Sequence, residues 1–192
     1  MKDLPTLSST KVPTKPELYA HLSLQLSSLI DGQRSWVTNL SNASALIYHA
    51  LRDRQSALGS PTPTINWVGF YLRSEFLGAS ITTGKGKLLL APFQGRIACT
   101  EIPFGKGVCG AAAREGTVQL VPDVHAFPGH IACDSATNSE VVVPLLSSDG
   151  TVLGVFDLDC EEHNGFDADD VAGLTAIAKL LVDGCDWPSC ST

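Results

Sequence analysis

The sequence has no apolar run near the roughly 18 residues of a membrane-crossing helix, and its opening MKDLPTLSSTKVPTKPE holds no hydrophobic stretch. Neither a membrane span nor a secretory signal is expected, and the chain reads as cytoplasmic. Positive charge is scarce: 13 Lys and Arg face 20 Asp and Glu, a formal balance of −7. That disfavours nucleic acid and anionic membranes as partners. No CxxC pair occurs among the six cysteines. His130 and Cys133 have a ligand-like spacing but no second pair, so no metal is expected. Gly105-Lys106-Gly107 lacks the earlier glycine and the following Ser or Thr of a phosphate loop. No internal repeat is evident.

At 192 residues the chain suits one domain with its own core. A protein of this size does not depend on disulfide staples, so its cysteines serve redox chemistry or burial. Residues 1–16, rich in Pro, Ser, Thr and Lys, read as a loose arm. Leu18, Leu22, Leu26 and Leu29 then fall at helical spacing, as do Trp36, Leu40, Ala43, Ile47 and Leu51 in a second helix. The period changes at INWVGFYLR (65–73), an alternating strand with Val68, Phe70 and Leu72 on a core face. Trp67, Gly69 and Tyr71 share the other face, either as a pocket wall or as packing under a helix. Further strands are expected over 85–93, 117–123, 139–146 and 151–159, with a short helix at about 108–115. A last helix starts from Asp167 as N-cap and carries Val171, Leu174, Ile177 and Leu181. This order predicts an α+β domain over 17–184, its antiparallel sheet of about six strands packed by N-terminal helices and a C-terminal one. Residues 185–192 read as a tail.

The hairpin formed by SEVVVPLL and TVLGVFDLD carries chemistry. Asp157 and Asp159 share a strand face. A two-residue turn at Asp149-Gly150 sets Glu140 opposite Asp159, and a four-residue loop sets it opposite Asp157. Either register gathers three carboxylates on one face, whereas an odd loop or a bulge breaks the parity. Like charges so close raise at least one pKa, which suits a general acid or a clamp for an ammonium. A solvated outer face is the alternative. Three cysteines, Cys99, Cys109 and Cys133, sit in loops marked by Gly or Pro. Local amides favour thiolate at Cys133, with help from His130, and the start of a helix does the same for Cys109 beside Lys106. Cys160, Cys185 and Cys190 lack such settings and read as incidental.

APFQGRIAC, GKGVCGAAA, DVHAFPGHIACDSATNSEVVVPL and GVFDLD together resemble the free methionine-(R)-sulfoxide reductases, a branch of the GAF-domain superfamily. The likeness runs from about 17 to 184 and includes INWVGFY and the FDADD helix. Ala91 and Ile97 depart from a glycine and a proline common there. The resemblance implies a GAF-like fold and an enzyme that reduces free L-methionine (R)-S-oxide, with no bound cofactor and with thioredoxin as reductant. By the same likeness Cys133 is the nucleophile, with Cys109 and Cys99 as the resolving pair. Glu140, Asp157 and Asp159 bind substrate and donate protons, while Trp67 and Tyr71 line the pocket. The order of the cysteines and the oligomeric state stay open. A GAF module that binds a small molecule and signals is the rival class.

Overall fold

Strand β1 (Ile65–Arg73) is paired on both edges and, covered by helices on both sides of the sheet, is buried on both faces from Ile65 to Leu72. The structure, a computed structural model, describes residues 12–77, 86–130 and 134–188. Around β1 stand β2 (Lys87–Gly95), β3 (Glu101–Pro103), β4 (Gln119–Val121), β5 (Ser139–Leu146) and β6 (Val152–Cys160), in the antiparallel order β3-β2-β1-β6-β5-β4. Helices α1 (Lys15–Ile30), α2 (Trp36–Ala57) and α4 (Ala168–Gly184) form a layer on one face. Helix α3 (Gly107–Glu115) packs on the other.

The two faces hold separate cores. Val68, Phe70 and Leu72 join Leu22, Ile47, Phe156 and Leu174 beneath the three-helix layer. Trp67 and Tyr71 join Val108, Cys109 and Val142 beneath α3. The alternation in β1 thus marks the division between core and site, and the fold class follows the expectation.

The expected limits of the domain move outward at both ends. A capping box starts α1 at Lys15: the Thr14 hydroxyl accepts from Glu17 N–H, and the Glu17 carboxylate accepts from Thr14 N–H at 2.8 Å. Lys15 then pairs with Asp167 at 2.8 Å and with Asp170, joining the first turns of α1 and α4. Residues 12–16 are therefore part of the fold and not of a loose arm, while residues 1–11 lie outside the described residues. Past α4, Cys185 is buried, Arg34 pairs with Asp186 at 2.8 Å, and Trp187 Nε1 donates to Val182 O at 3.0 Å. The tail expected from 185 is docked at least to Trp187. Caps and ion pairs carry no periodicity, which is why the pattern stopped short. Asp167 caps α4 as expected, accepting from Asp169 N–H and Asp170 N–H.

The β5–β6 hairpin differs from the expected turn. Ser147 N–H donates to Thr151 O at 3.0 Å and Gly150 N–H to Ser147 O at 2.9 Å, with Gly150 left-handed at φ 82°. The loop therefore has three residues, Ser148 to Gly150, the form in which a glycine takes the left-handed position. An odd loop would invert the faces, but the register also slips between Leu145 and Leu146, where the partner moves from Gly154 to Val152. The two irregularities offset one another. Glu140 pairs with Asp159 and Val142 with Asp157, as a two-residue turn would have set them.

Candidate active site

β1, β6 and β5 lie side by side, so their residues facing α3 form two cross-strand rows. One row is Trp67, Asp159 and Glu140; the next is Gly69, Asp157 and Val142. A cavity of about 530 Å³, counted to its open mouth, stands on this floor. Its walls include Tyr71, Ile97, Ala98, Ile102, the turn from Lys106 to Cys109, and His130, Asp134 and Thr137. All three expected acids and both expected aromatics line it. The solvated outer face is excluded: Glu140 and Asp157 are buried and Asp159 is partly so.

Burial sets the charge state of these acids. It pushes the Glu140 carboxyl well above the ordinary carboxylate range, with the Asp157 and Asp159 charges adding to it. Asp159 is raised the same way, by burial and then by the charges of Asp157 and Asp134. Asp157 is raised by burial to about 7, held from going further by hydrogen bonds from Cys109 and Glu140. The site thus keeps protons that water would have removed. Oδ1 of Asp157 and Nε1 of Trp67 are buried without a hydrogen-bond partner, which leaves an acceptor and a donor for a ligand to satisfy.

Cys109 departs from its expectation. Its Sγ lies 3.8 Å from Glu140 Oε1, and the thiol is pushed well up by burial and then by the charges of Asp157 and Glu140. The start of α3 does favour thiolate, but the Lys106 side chain makes no cap bond and the acids on the floor face the sulfur directly. Cys109 is a neutral thiol here, not a poised thiolate. Cys99 is disulfide-bonded, whereas Cys109, Cys160 and Cys185 are free. Cys133 and Cys190 lie outside the described residues. His130, proposed to assist Cys133, has its pKa lowered by burial and then by His125, and so favours the neutral ring.

The aromatic wall is tightly built. Trp67 stacks on Tyr71 at 5.7 Å between ring centres and on Phe93 at 5.3 Å. Gly69 makes this possible, since a Cβ there would collide with the Trp67 ring and with Phe93. Burial and the Asp157 charge keep the Tyr71 phenol protonated. Pocket wall and packing under a helix turn out to be one arrangement, because α3 forms the roof.

Cys109 Sγ and one oxygen each of Glu140 and Asp157 lie within 4.8 Å of one another, the one grouping of metal-ligand type among the described residues. All three hold protons by preference, and a metal would have to displace them. Residues at or beside the cavity to which the sequence pattern gives no role are Asn66, Ile97, Ala98, Ile102, Asp134 and Thr137. Asn66 offered one signal, a polar residue inside an apolar strand. Asp134 forms an Asx turn, its carboxylate accepting from Ala136 N–H at 3.0 Å.

The GAF domain family model matches residues 67–183. The free methionine-R-sulfoxide reductase of Saccharomyces cerevisiae is 47% identical over 171 residues, covering 89% of this chain and 87% of that protein. The Escherichia coli protein of the same name is 41% identical over 167 residues, with 87% and 88% covered. Among solved structures, the free methionine-R-sulfoxide reductase of Neisseria meningitidis in complex with its substrate superimposes with a TM-score of 0.75 at 40% identity, covering 96% of this chain and 95% of that one. No helix among the described residues is long and apolar enough to cross a membrane.

Proposed function

This chain belongs to the free methionine-R-sulfoxide reductase family, and we propose that it reduces free L-methionine (R)-S-oxide to L-methionine. The observation that carries the reading is the convergence of Glu140, Asp157 and Asp159 beside Trp67 and Tyr71 in one cavity. Such a site offers a proton to an oxygen, an anionic seat to an ammonium and an apolar wall to a thioether. A signalling GAF module has no need of buried carboxyls that hold protons near neutral pH.

Cys133 is the proposed nucleophile. Its sulfur attacks the sulfoxide sulfur, and a carboxyl proton goes to the departing oxygen. Glu140 is suited to this donation, being buried, charge-opposed by Asp157 and held neutral. The oxygen and its proton pass to Cys133 as a sulfenic acid, and methionine leaves. A second thiol then condenses with the sulfenic acid, releasing water and forming a disulfide. The free, neutral thiol of Cys109 and the disulfide-bonded state of Cys99 support Cys99 in this role. A thioredoxin-type dithiol returns both cysteines to thiols by exchange and is itself oxidised. No bound cofactor takes part, and a reducing cytoplasm is the compartment that suits the cycle.

The substrate ammonium is assigned to Asp157 and Asp159. Its charge offsets the burial that keeps both groups protonated, and at Asp159 the repulsion from Asp157 as well, so binding ionises them. A peptide-bound methionine sulfoxide has an amide where the ammonium should be and forfeits that pairing. The test is NADPH consumption in a coupled thioredoxin system with the separated R and S forms. Turnover of the free R form alone is expected. No turnover of either form, with thiols still titratable, would leave a ligand-binding GAF module.

A further inference from the structure

Strand β1 carries a bulge at its first residues. Ile65 pairs with Cys160 and Trp67 with Asp159, so Asn66 is an extra residue with no partner on β6. A bulge re-aims the side chain it frees, and this one turns the Asn66 amide toward the cavity rim. There Nδ2 donates to Thr137 Oγ1 at 2.9 Å and to Asp134 Oδ2 at 3.3 Å. Having accepted from Asn66, the Thr137 hydroxyl has its own proton free, and it lines the same cavity as Asp159, where it lowers that acid's pKa against the rise imposed by burial. The chain runs from amide to hydroxyl to carboxylate.

We propose that Asn66 is a positioning residue for the reaction, fixing Asp159 through Thr137 and the start of the segment at Asp134 with one amide nitrogen. The inference rests on the proposed function for its effect on turnover, but the geometry stands apart from it. Asn66 is a poor choice for stability alone, because its Oδ1 is buried without a partner and such an oxygen is costly. Both protons of Nδ2 are committed, one to each side of the rim. Thr137 is itself buried, so its hydroxyl has few other orientations once Asn66 has donated to it. Asp134 directly follows Cys133 in the chain. Its carboxylate is held at one oxygen by Asn66 and at the other by Ala136 N–H, which fixes the backbone at that point. Asn66 thus ties the acid floor to the stretch leading from the proposed nucleophile, although it does not line the cavity itself.

The test compares the full-length wild-type protein with Asn66→Ala, Asn66→Ser, Thr137→Val and Thr137→Ser. One readout is steady-state turnover of free methionine (R)-sulfoxide with dithiothreitol. The other is amide hydrogen exchange by mass spectrometry over residues 134–138. Asn66→Ala is expected to lower kcat at least tenfold and to speed exchange over 134–138 while leaving α1, α2 and α4 as protected as in the wild type. Thr137→Val is expected to lose a similar factor, Thr137→Ser to recover most of it, and the double variant Asn66→Ala/Thr137→Val to be little worse than either single one. Wild-type turnover in Asn66→Ala overturns the proposal, as does a lost rate with unchanged exchange over 134–138, or losses that multiply in the double variant. Should Asn66→Ala fail to fold, Asn66→Ser and the Thr137 pair carry the same comparison. A wild-type protein that does not reduce the sulfoxide sinks the proposed function, and the exchange data alone then decide whether Asn66 holds the rim.

Discussion

Glu140 and Asp159 stand directly opposite one another in the β5–β6 ladder, on the face that closes against α3. Carboxyl groups so placed cannot both ionise in a buried site without a cation between them. The pair is therefore a store of protons, which a neighbouring positive charge would release. Asp157, one row away, completes it.

The cysteines should separate sharply by mutation. Cys133→Ser is expected to abolish turnover. Cys109→Ser should keep turnover with dithiothreitol within about tenfold of wild type, since a thiol held neutral is a poor nucleophile. Steady-state rates of both variants check this, and an inactive Cys109→Ser protein with wild-type thermal stability would return Cys109 to the chemistry.

The acids should divide by kinetic parameter. Glu140→Gln removes a proposed proton donor and is expected to lower kcat by about 10²–10⁴ with a smaller change in KM. Asp159→Asn should lose both rate and affinity, with KM raised roughly 10-fold or more if its charge pairs with the substrate ammonium. Equal effects of the two substitutions on kcat and KM would show that the roles are not divided.

Stability should fall as pH rises. The Asp157 carboxyl is raised to about 7 in the fold, against about 3.9 in an unfolded chain. A raised folded value contributes stability that is fully present below the unfolded value and is lost as pH climbs through the folded one. Glu140 and Cys109 face Asp157 and, being raised as well, tilt the balance in the same direction. Thermal unfolding of the ligand-free protein between pH 5 and pH 8 is thus expected to show a falling Tm. Asp157→Asn should flatten that slope, and a Tm that rises over the same interval would contradict the assigned protonation.

Gly69 sets the aromatic wall. Gly69→Ala places a methyl where the Trp67 ring and Phe93 now meet, and overpacking of this kind costs about 1–3 kcal/mol. Tryptophan fluorescence and denaturant unfolding should both report the change. Unaltered emission with unaltered stability would mean that the ring stack is loose.

Most of the architecture could be read in the chain because burial follows periodicity. The Leu18 to Leu26 stripe, the alternation from Trp67 to Leu72 and the parity of Asp157 with Asp159 each follow from helix or strand geometry alone. β3 was missed because three residues ending in Pro103 are too few to show a period and proline ends the pairing. The protonation of Cys109 is hidden in the sequence for a different reason. Its helix start is local and visible in sequence, but the acids that oppose it come from β5 and β6, some 30 to 50 residues on. Asn66 escaped notice because a bulge, invisible to pattern counting, decides where its side chain points.

The hairpin between β5 and β6 keeps its acids inward by two departures that cancel, a three-residue loop and a one-residue slip. Length in this hairpin is therefore counted in pairs. Deleting one residue from either irregularity alone would turn Asp157 and Asp159 to the three-helix side, where they would meet Phe70 and Leu174. Deleting one from each would leave the site standing. Natural or engineered length changes here should come in twos, so that a frame of side chains, like a reading frame, is preserved.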